Sequence, residues 1–167
     1  MAEALDYAVF AILIGAGATA VLDVSAVAQT WLLGVPPPDY YGLVGRWLAY
    51  MTRGRFRHDA IGAAAPMPGE RLIGWTAHYL IGIAFAAVLI AGWGLDWVRQ
   101  PTLGPALIVG IGSAAAPFLV MQPGMGAGIA ASRTPDPTAR RLRTLVTHGT
   151  FAIGLYAAGL ATSLLLK

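Results

Sequence analysis

The chain has 167 residues, of which 57% are hydrophobic and only 11% are charged, against roughly 25% charged in a typical soluble domain. So few charges cannot cover the surface of a soluble protein, and the composition therefore predicts a membrane protein. The sequence contains no cysteine, which excludes disulfides, thiolate catalysis and Cys-ligated metals. The net charge of +3 does not indicate a nucleic-acid partner, because the basic residues cluster beside the apolar segments.

Four apolar segments predict an all-α integral membrane bundle. The four transmembrane helices are expected at about residues 7–33, 72–93, 103–121 and 145–166. Each is long enough to cross a hydrocarbon layer of ~30 Å at ~1.5 Å per residue. We interpret residues 1–167 as a single transmembrane domain with loops at 34–71 and 122–144. Glu3 and Asp6 precede the first span without any basic residue, so this span is expected to be an uncleaved helix and not a secretory signal.

Residues 40–51 follow the first span and predict a short helix in the membrane interface. Apolar side chains recur there at helical spacing, namely Leu43, Val44, Trp47, Leu48 and Met51. Four aromatic residues are expected at the level of the lipid headgroups, namely Tyr40, Tyr41, Trp47 and Tyr50. A basic patch, residues 53–59, comes next. It is expected to be a solvated orientation signal that also holds anionic lipid, with a specific ligand or partner site as the alternative.

The distribution of basic residues predicts the orientation. Five arginines lie in 35–71 and four in 133–143, and these nine of the eleven basic residues flank the spans. Lys and Arg are enriched on the cytoplasmic side of membrane helices, so both segments are predicted to be cytoplasmic and both termini to lie on the opposite side. Seven arginines are expected to contact anionic lipid headgroups: Arg46, Arg53, Arg55, Arg57, Arg140, Arg141 and Arg143.

Small residues at a spacing of four predict close packing between helices. The expected packing positions are Gly15, Thr19, Gly74, Gly82 and Ala86. Small side chains allow helix backbones to approach each other, which is a main source of attraction in lipid. Pro117 predicts a kink in the third span. The glycines at 124, 126 and 128 lack the strand and the Gly-Lys-Ser/Thr of a nucleotide site, and they predict a tight turn.

Three ionisable residues lie within the spans: Asp23, His78 and His148. A charge in a membrane helix is costly, so Asp23 is expected to face the bundle and to bond His78, Thr19 or a backbone group of the third helix. The trio is compatible with a polar clamp between helices, with a pathway for protons or ions, and with ligation of haem or chlorin by His78 or His148. The chain has no H-x-x-x-H motif, so no metal site is predicted.

No catalytic residue is predicted. The sequence has no Ser in a G-x-S-x-G elbow and no pair of carboxylates placed for acid–base chemistry, so we expect no enzyme activity.

Several short motifs resemble those of an uncharacterised family of bacterial four-helix inner-membrane proteins, which is filed as a domain of unknown function. The motifs are Arg46-Trp-Leu48, the basic patch 53–59, Pro68-Gly-Glu-Arg71, Gly74-Trp75, Ala77-His-Tyr79, Pro117-Phe118, Met121-Gln-Pro123 and residues 128–135. The resemblance covers nearly the whole chain. It implies a multi-pass protein of the bacterial cytoplasmic membrane, and it implies no activity or cofactor.

Together these features favour a non-enzymatic membrane protein that acts by helix docking, as an accessory subunit of a larger membrane complex or as a homo-oligomer. The expected partners are membrane lipids and other membrane-protein subunits or a second copy, with no nucleic acid and no assigned cofactor. The alternative is a small pathway for a proton, an ion or an apolar solute built around Asp23, His78 and His148. A haem- or chlorin-ligating subunit is a further alternative.

Overall fold

The structure, a computed structural model, describes residues 2–34 and 40–166. These residues form the helices α1 (Ala2–Leu33), α2 (Tyr40–Met51), α3 (Glu70–Arg99), α4 (Leu103–Gly112), α5 (Gln122–Gly124) and α6 (Pro137–Leu165). A π-helical segment covers Pro117–Met121, and single 3₁₀ turns cover Ile61–Ala63 and Ile129–Ala131. Four stretches are long and apolar enough to cross a membrane: Glu3–Leu32, Glu70–Arg99, Leu103–Gly124 and Pro137–Leu165. The predicted all-α class with four candidate spans is therefore confirmed.

The helix ends follow from particular residues. Gly34 has a φ of 65° and donates its N–H to the carbonyl of Thr30, which ends α1 in a left-handed cap. The proline run at 36–38, which predicted this end, lies outside the described residues. Gly94, with a φ of 74°, interrupts α3 directly after the predicted end of the second span at residue 93. The helical turn that follows, up to Arg99, was predicted as a loop.

The third span is not one regular helix. The α-helix α4 ends at Gly112, and the chain resumes as a π-helical segment from Pro117 to Met121. Proline has no N–H to donate to the preceding turn, so the regular ladder of hydrogen bonds cannot continue through it. The wider turn closes when Gln122 donates its N–H to the Pro117 carbonyl. The irregularity lies where the sequence predicts a kink.

The chain divides into two compact units. Unit 1 comprises Met1–Val35, Tyr79–Ser113 and Val146–Lys167, and it holds α1, α4 and most of α3 and α6. Its core contains the fully buried side chains Ile14, Leu89, Ile90, Val98 and Leu155. Large apolar side chains also point outward from the same helices, among them Leu13, Leu80, Val88, Ile108 and Ile153. A helix that is apolar on its outer face is typical of contact with lipid.

Glycines set the contacts between the helices of unit 1. A methyl group at Gly15 would lie 2.8 Å from the carbonyl oxygen of Gly82, so α1 and α3 touch through their backbones. A methyl group at Gly154 would lie 2.8 Å from the carbonyl oxygen of Ala18, which brings α6 equally close to α1. The backbone of α4 at Gly110 meets Ala152 of α6 in the same way.

Unit 2 comprises Pro36–His78 and Ala114–Leu145, and it holds α2, α5 and the first turns of α3 and α6. Val44, Trp47, Ile61 and Met125 form its buried core. The Trp47 indole donates to the Phe56 carbonyl at 3.0 Å, and its side chain is buried. The expectation that Trp47 lies at headgroup level stays a prediction, and the structure adds that the protein itself surrounds the ring.

Candidate functional site

Asp23 of α1 is paired with a residue of α3. The hydroxyl of Tyr79 donates a hydrogen bond of 3.0 Å to the Asp23 Oδ2 atom. Tyr79 was not among the partners that the sequence suggested. Thr19, which was suggested, donates to the Gly15 carbonyl at 2.8 Å and lies against Gly82. The bond between Asp23 and Tyr79 joins two spans through their polar side chains, which is how a clamp between membrane helices is built.

His148 of α6 is held by Ser113, which follows α4. The Ser113 hydroxyl lies 2.5 Å from the Gly110 carbonyl and 2.6 Å from the His148 Nδ1 atom. A carbonyl only accepts, so the single hydroxyl proton goes to Gly110, and Nδ1 carries the proton that is donated to Ser113. This network places a proton on Nδ1 of His148 and joins α6 to the end of α4.

His78 belongs to unit 2 and has an aromatic environment. Its Nε2 atom lies 3.1 Å from the hydroxyl of Tyr41 on α2. The Tyr41 ring is 4.5 Å from the His78 ring and 4.3 Å from the Trp75 ring, measured between centroids. The side chain of His78 thus fixes α2 against the start of α3. Among the described residues, no group of three or more His, Asp or Glu side chains is placed to hold a metal.

The predicted packing residues do not share one contact. Gly15, Thr19 and Gly82 meet where α1 crosses α3, and Ala86 is fully buried in the core of unit 1. Gly74, in contrast, lies against the Tyr41 carbonyl of α2, opposite Gly45. The spacing of four predicts that Gly74, Gly82 and Ala86 lie in one close helix–helix contact shared with His78, and this prediction is wrong. The spacing of four identified the small positions correctly, but it could not tell that two different helices approach α3.

Arg46 has an internal role, which corrects its prediction as a headgroup contact. Its Nε and Nη2 atoms donate to the two carboxylate oxygens of Glu70 at 2.8 Å each, and Nη1 donates to the Ala64 carbonyl at 2.9 Å. The two side chains are only 12% and 15% exposed. Glu70 also accepts the N–H of Met67 at 2.8 Å, at the start of α3. This bidentate pair ties α2 to α3.

The other six predicted headgroup arginines are exposed, and their contact with lipid stays a prediction. They are Arg53, Arg55, Arg57, Arg140, Arg141 and Arg143. Two of them make contacts within unit 2. The Arg55 guanidinium lies 5.6 Å from the Tyr50 ring centroid, and Arg141 donates to the Ala130 carbonyl at 2.7 Å.

His58 is a residue that the sequence interpretation missed. It was assigned to a solvated basic patch, yet its side chain is 6% exposed. Its backbone N–H donates to the Gly124 carbonyl at 2.9 Å, while neither ring nitrogen has a hydrogen-bond partner among the described residues. Burial lowers the pKa of His58, the positive charge of Arg55 lowers it further, and Asp59 acts in the opposite direction. Neither the charge nor the spacing of the residues around His58 in the sequence indicates that its side chain is buried.

These observations define a helical protein with four segments able to span a membrane and with polar side chains paired between helices. The chain belongs to a family of proteins of unknown function, DUF2938, whose model matches residues 12–162. No curated protein and no solved structure matches the chain.

Proposed function

We propose that this protein is a non-enzymatic membrane protein that acts by helix docking, as an accessory subunit of a larger membrane complex or as a homo-oligomer. The observation that carries the proposal is the pairing of Asp23 with Tyr79 and of His148 with Ser113, each pair joining two helical segments of unit 1. Polar pairs of this kind specify how membrane helices pack, and each contributes on average about 0.6 kcal/mol.

One cleft of unit 1 lies apart from both polar pairs. A cleft of about 390 Å³ in unit 1 is lined by Asp6, Phe10, Leu95, Val98, Arg99, Ser163 and Leu166. Neither Asp23 nor His148 borders it. This cleft therefore does not join the two polar pairs.

The substitution Asp23→Asn separates docking from transport. Asparagine keeps an oxygen that accepts the Tyr79 hydroxyl but removes the charge and the titrating proton. If Asp23 is a clamp, the variant assembles like the wild type, as judged by light scattering in mild detergent. Asp6→Asn is the matched control, since it removes an exposed charge from the same helix.

Two readouts decide the proposal. Protein solubilised gently from native membranes should migrate as a complex larger than one chain, with a second copy or another membrane protein identified by mass spectrometry. Vesicles that contain the purified protein should show no proton or ion flux above that of empty vesicles. A monomer whose flux is abolished by Asp23→Asn and preserved by Asp6→Asn contradicts docking and supports the pathway.

A further inference from the structure

His58 is buried between two segments of unit 2. Its backbone is fixed by the bond to the Gly124 carbonyl, and three residues later Ile61 donates its N–H to the Met125 carbonyl at 3.0 Å. The loop 52–60 is thereby joined to the turn 122–128. The imidazole packs against the Tyr50 ring of α2 in an edge-to-face arrangement, with 5.0 Å between the ring centroids.

The site fits a neutral imidazole and not a charged one. In the neutral form one ring nitrogen is a donor and the other an acceptor, whereas protonation makes both nitrogens donors on a cationic ring. Neither nitrogen has an acceptor among the described residues. Leaving a buried charged donor unpaired costs more than leaving a neutral one unpaired, so protonation favours a conformation in which the ring reaches water.

We propose that protonation of His58 releases the loop 52–60 from the turn 122–128, so that unit 2 carries an acid-triggered opening. The inference concerns unit 2 alone and does not depend on what the spans dock with.

Of the two charges that act on the ring, the one with the larger effect, Arg55, also disfavours protonation. Arg55, on the same loop, opposes a second positive charge, and only Asp59 favours it; Asp59 is exposed to solvent. From α2 the facing titratable group is Tyr50. The turn 122–128 contributes no titratable side chain, since its sequence is Gln-Pro-Gly-Met-Gly-Ala-Gly. Burial and Arg55 thus lower the pKa of His58 in the closed form relative to the open form, in which water solvates the ring.

The sign of the pH dependence follows from this difference. Below the usual histidine pKa of about 6.5 the open form binds more protons than the closed form, so closure weakens as the pH falls. The opening constant rises by up to ~10-fold per pH unit until the pKa of the closed form is reached. Above about pH 7 both forms are neutral, and closure is independent of pH.

Opening would expose apolar side chains that the contact now covers. Gly126 has a φ of 98°, and its Cα lies so close to the Asp59 backbone that even a methyl group has no room. Gly124 lies against the Trp47 indole, where an added methyl group would lie 2.7 Å from the ring. A separation at these two glycines would uncover Trp47 and Met125 in the core of unit 2.

Hydrogen exchange of the full chain in lipid nanodiscs between pH 5 and 7.5 tests the proposal, with rates corrected for the intrinsic pH dependence. We expect the protection of the amides of His58 and Ile61 to fall by up to ~30-fold between pH 7.5 and 5. Peptides from the Ile83–Ile90 region of α3 should keep constant protection and serve as the internal control.

Two variants make the result specific. His58→Phe keeps a ring against Tyr50 and removes both unpaired nitrogens, so it should fold and show protection that does not change with pH. Gly126→Ala should abolish protection at every pH, since the added methyl group forces the two segments apart. Constant protection in the wild type between pH 5 and 7.5, or an equal loss in His58→Phe, would falsify the proposal. A His58→Phe chain less protected than the wild type at pH 7.5 would also overturn it.

Discussion

At the scale of single residues, two arginines of unit 2 have different roles. All three side-chain nitrogens of Arg46 donate hydrogen bonds, two to the Glu70 carboxylate and one to the Ala64 carbonyl, whereas Arg57 is exposed to solvent. Arginine suits the first role because its planar fork matches the two oxygens of a carboxylate. The pair is nearly buried, so solvent screens it only weakly.

Arg46→Met is therefore expected to destabilise unit 2, because it leaves the Glu70 carboxylate without its bidentate donor. Hydrogen bonds to charged groups contribute about 1.5–3 kcal/mol, and we expect a loss of that order. Arg57→Met is the matched control and should change the stability by less than about 0.5 kcal/mol. Denaturant titration in detergent, followed by tryptophan fluorescence, measures both. Equal stabilities of the two variants would show that the Arg46–Glu70 bridge contributes nothing.

At the scale of helices, the glycines of α3 have different surroundings although they look alike in the sequence. Gly82 faces Thr19 and the Gly15 carbonyl of α1. At Gly92 an added methyl group would have, apart from its own stretch of helix, no group of the described residues within 4 Å. Only the first of these glycines is required for a close approach between helices.

Gly82→Leu should push α3 away from α1 and destabilise unit 1 by about 1–3 kcal/mol, the usual cost of overpacking. Gly92→Leu adds the same side chain to the same helix in open space and should leave the stability unchanged within about 1 kcal/mol. Thermal unfolding in detergent compares the two variants. If Gly82→Leu melts like the wild type, the backbone contact between α1 and α3 is not needed for folding.

At the scale of the whole molecule, the prediction concerns orientation in the membrane. Because Lys and Arg are enriched on the cytoplasmic side, both Arg-rich segments are predicted to be cytoplasmic and both termini to lie on the opposite side. The chain contains no cysteine, so single cysteines report on the orientation without a background. Ala60 and Ala139 are exposed and lie in the two segments, and Gln100 is exposed between α3 and α4.

Ala60→Cys and Ala139→Cys should resist a membrane-impermeant thiol reagent in intact cells, and Gln100→Cys should react with it. After the membrane is permeabilised, all three should react. The opposite pattern in intact cells would reverse the orientation.

The sequence by itself determined the all-α class and the four segments able to span a membrane, because apolar length and the scarcity of charge are properties of contiguous residues. It also located Asp23, His78 and His148 as polar groups inside the spans, since their cost in lipid follows from depth alone. The irregularity near Pro117 could also be predicted from the sequence, because the missing N–H of proline removes a hydrogen bond within its own turn of the helix.

Only the tertiary structure decided which partners these groups have. Tyr79 for Asp23, Ser113 for His148 and Glu70 for Arg46 come from other helices or distant turns, so no spacing along the chain encodes them. The burial of His58 depends on a turn more than sixty residues away, at Gly124. Side-chain pairing is set by how helices and loops approach each other, which the hydrophobic pattern of each element leaves open.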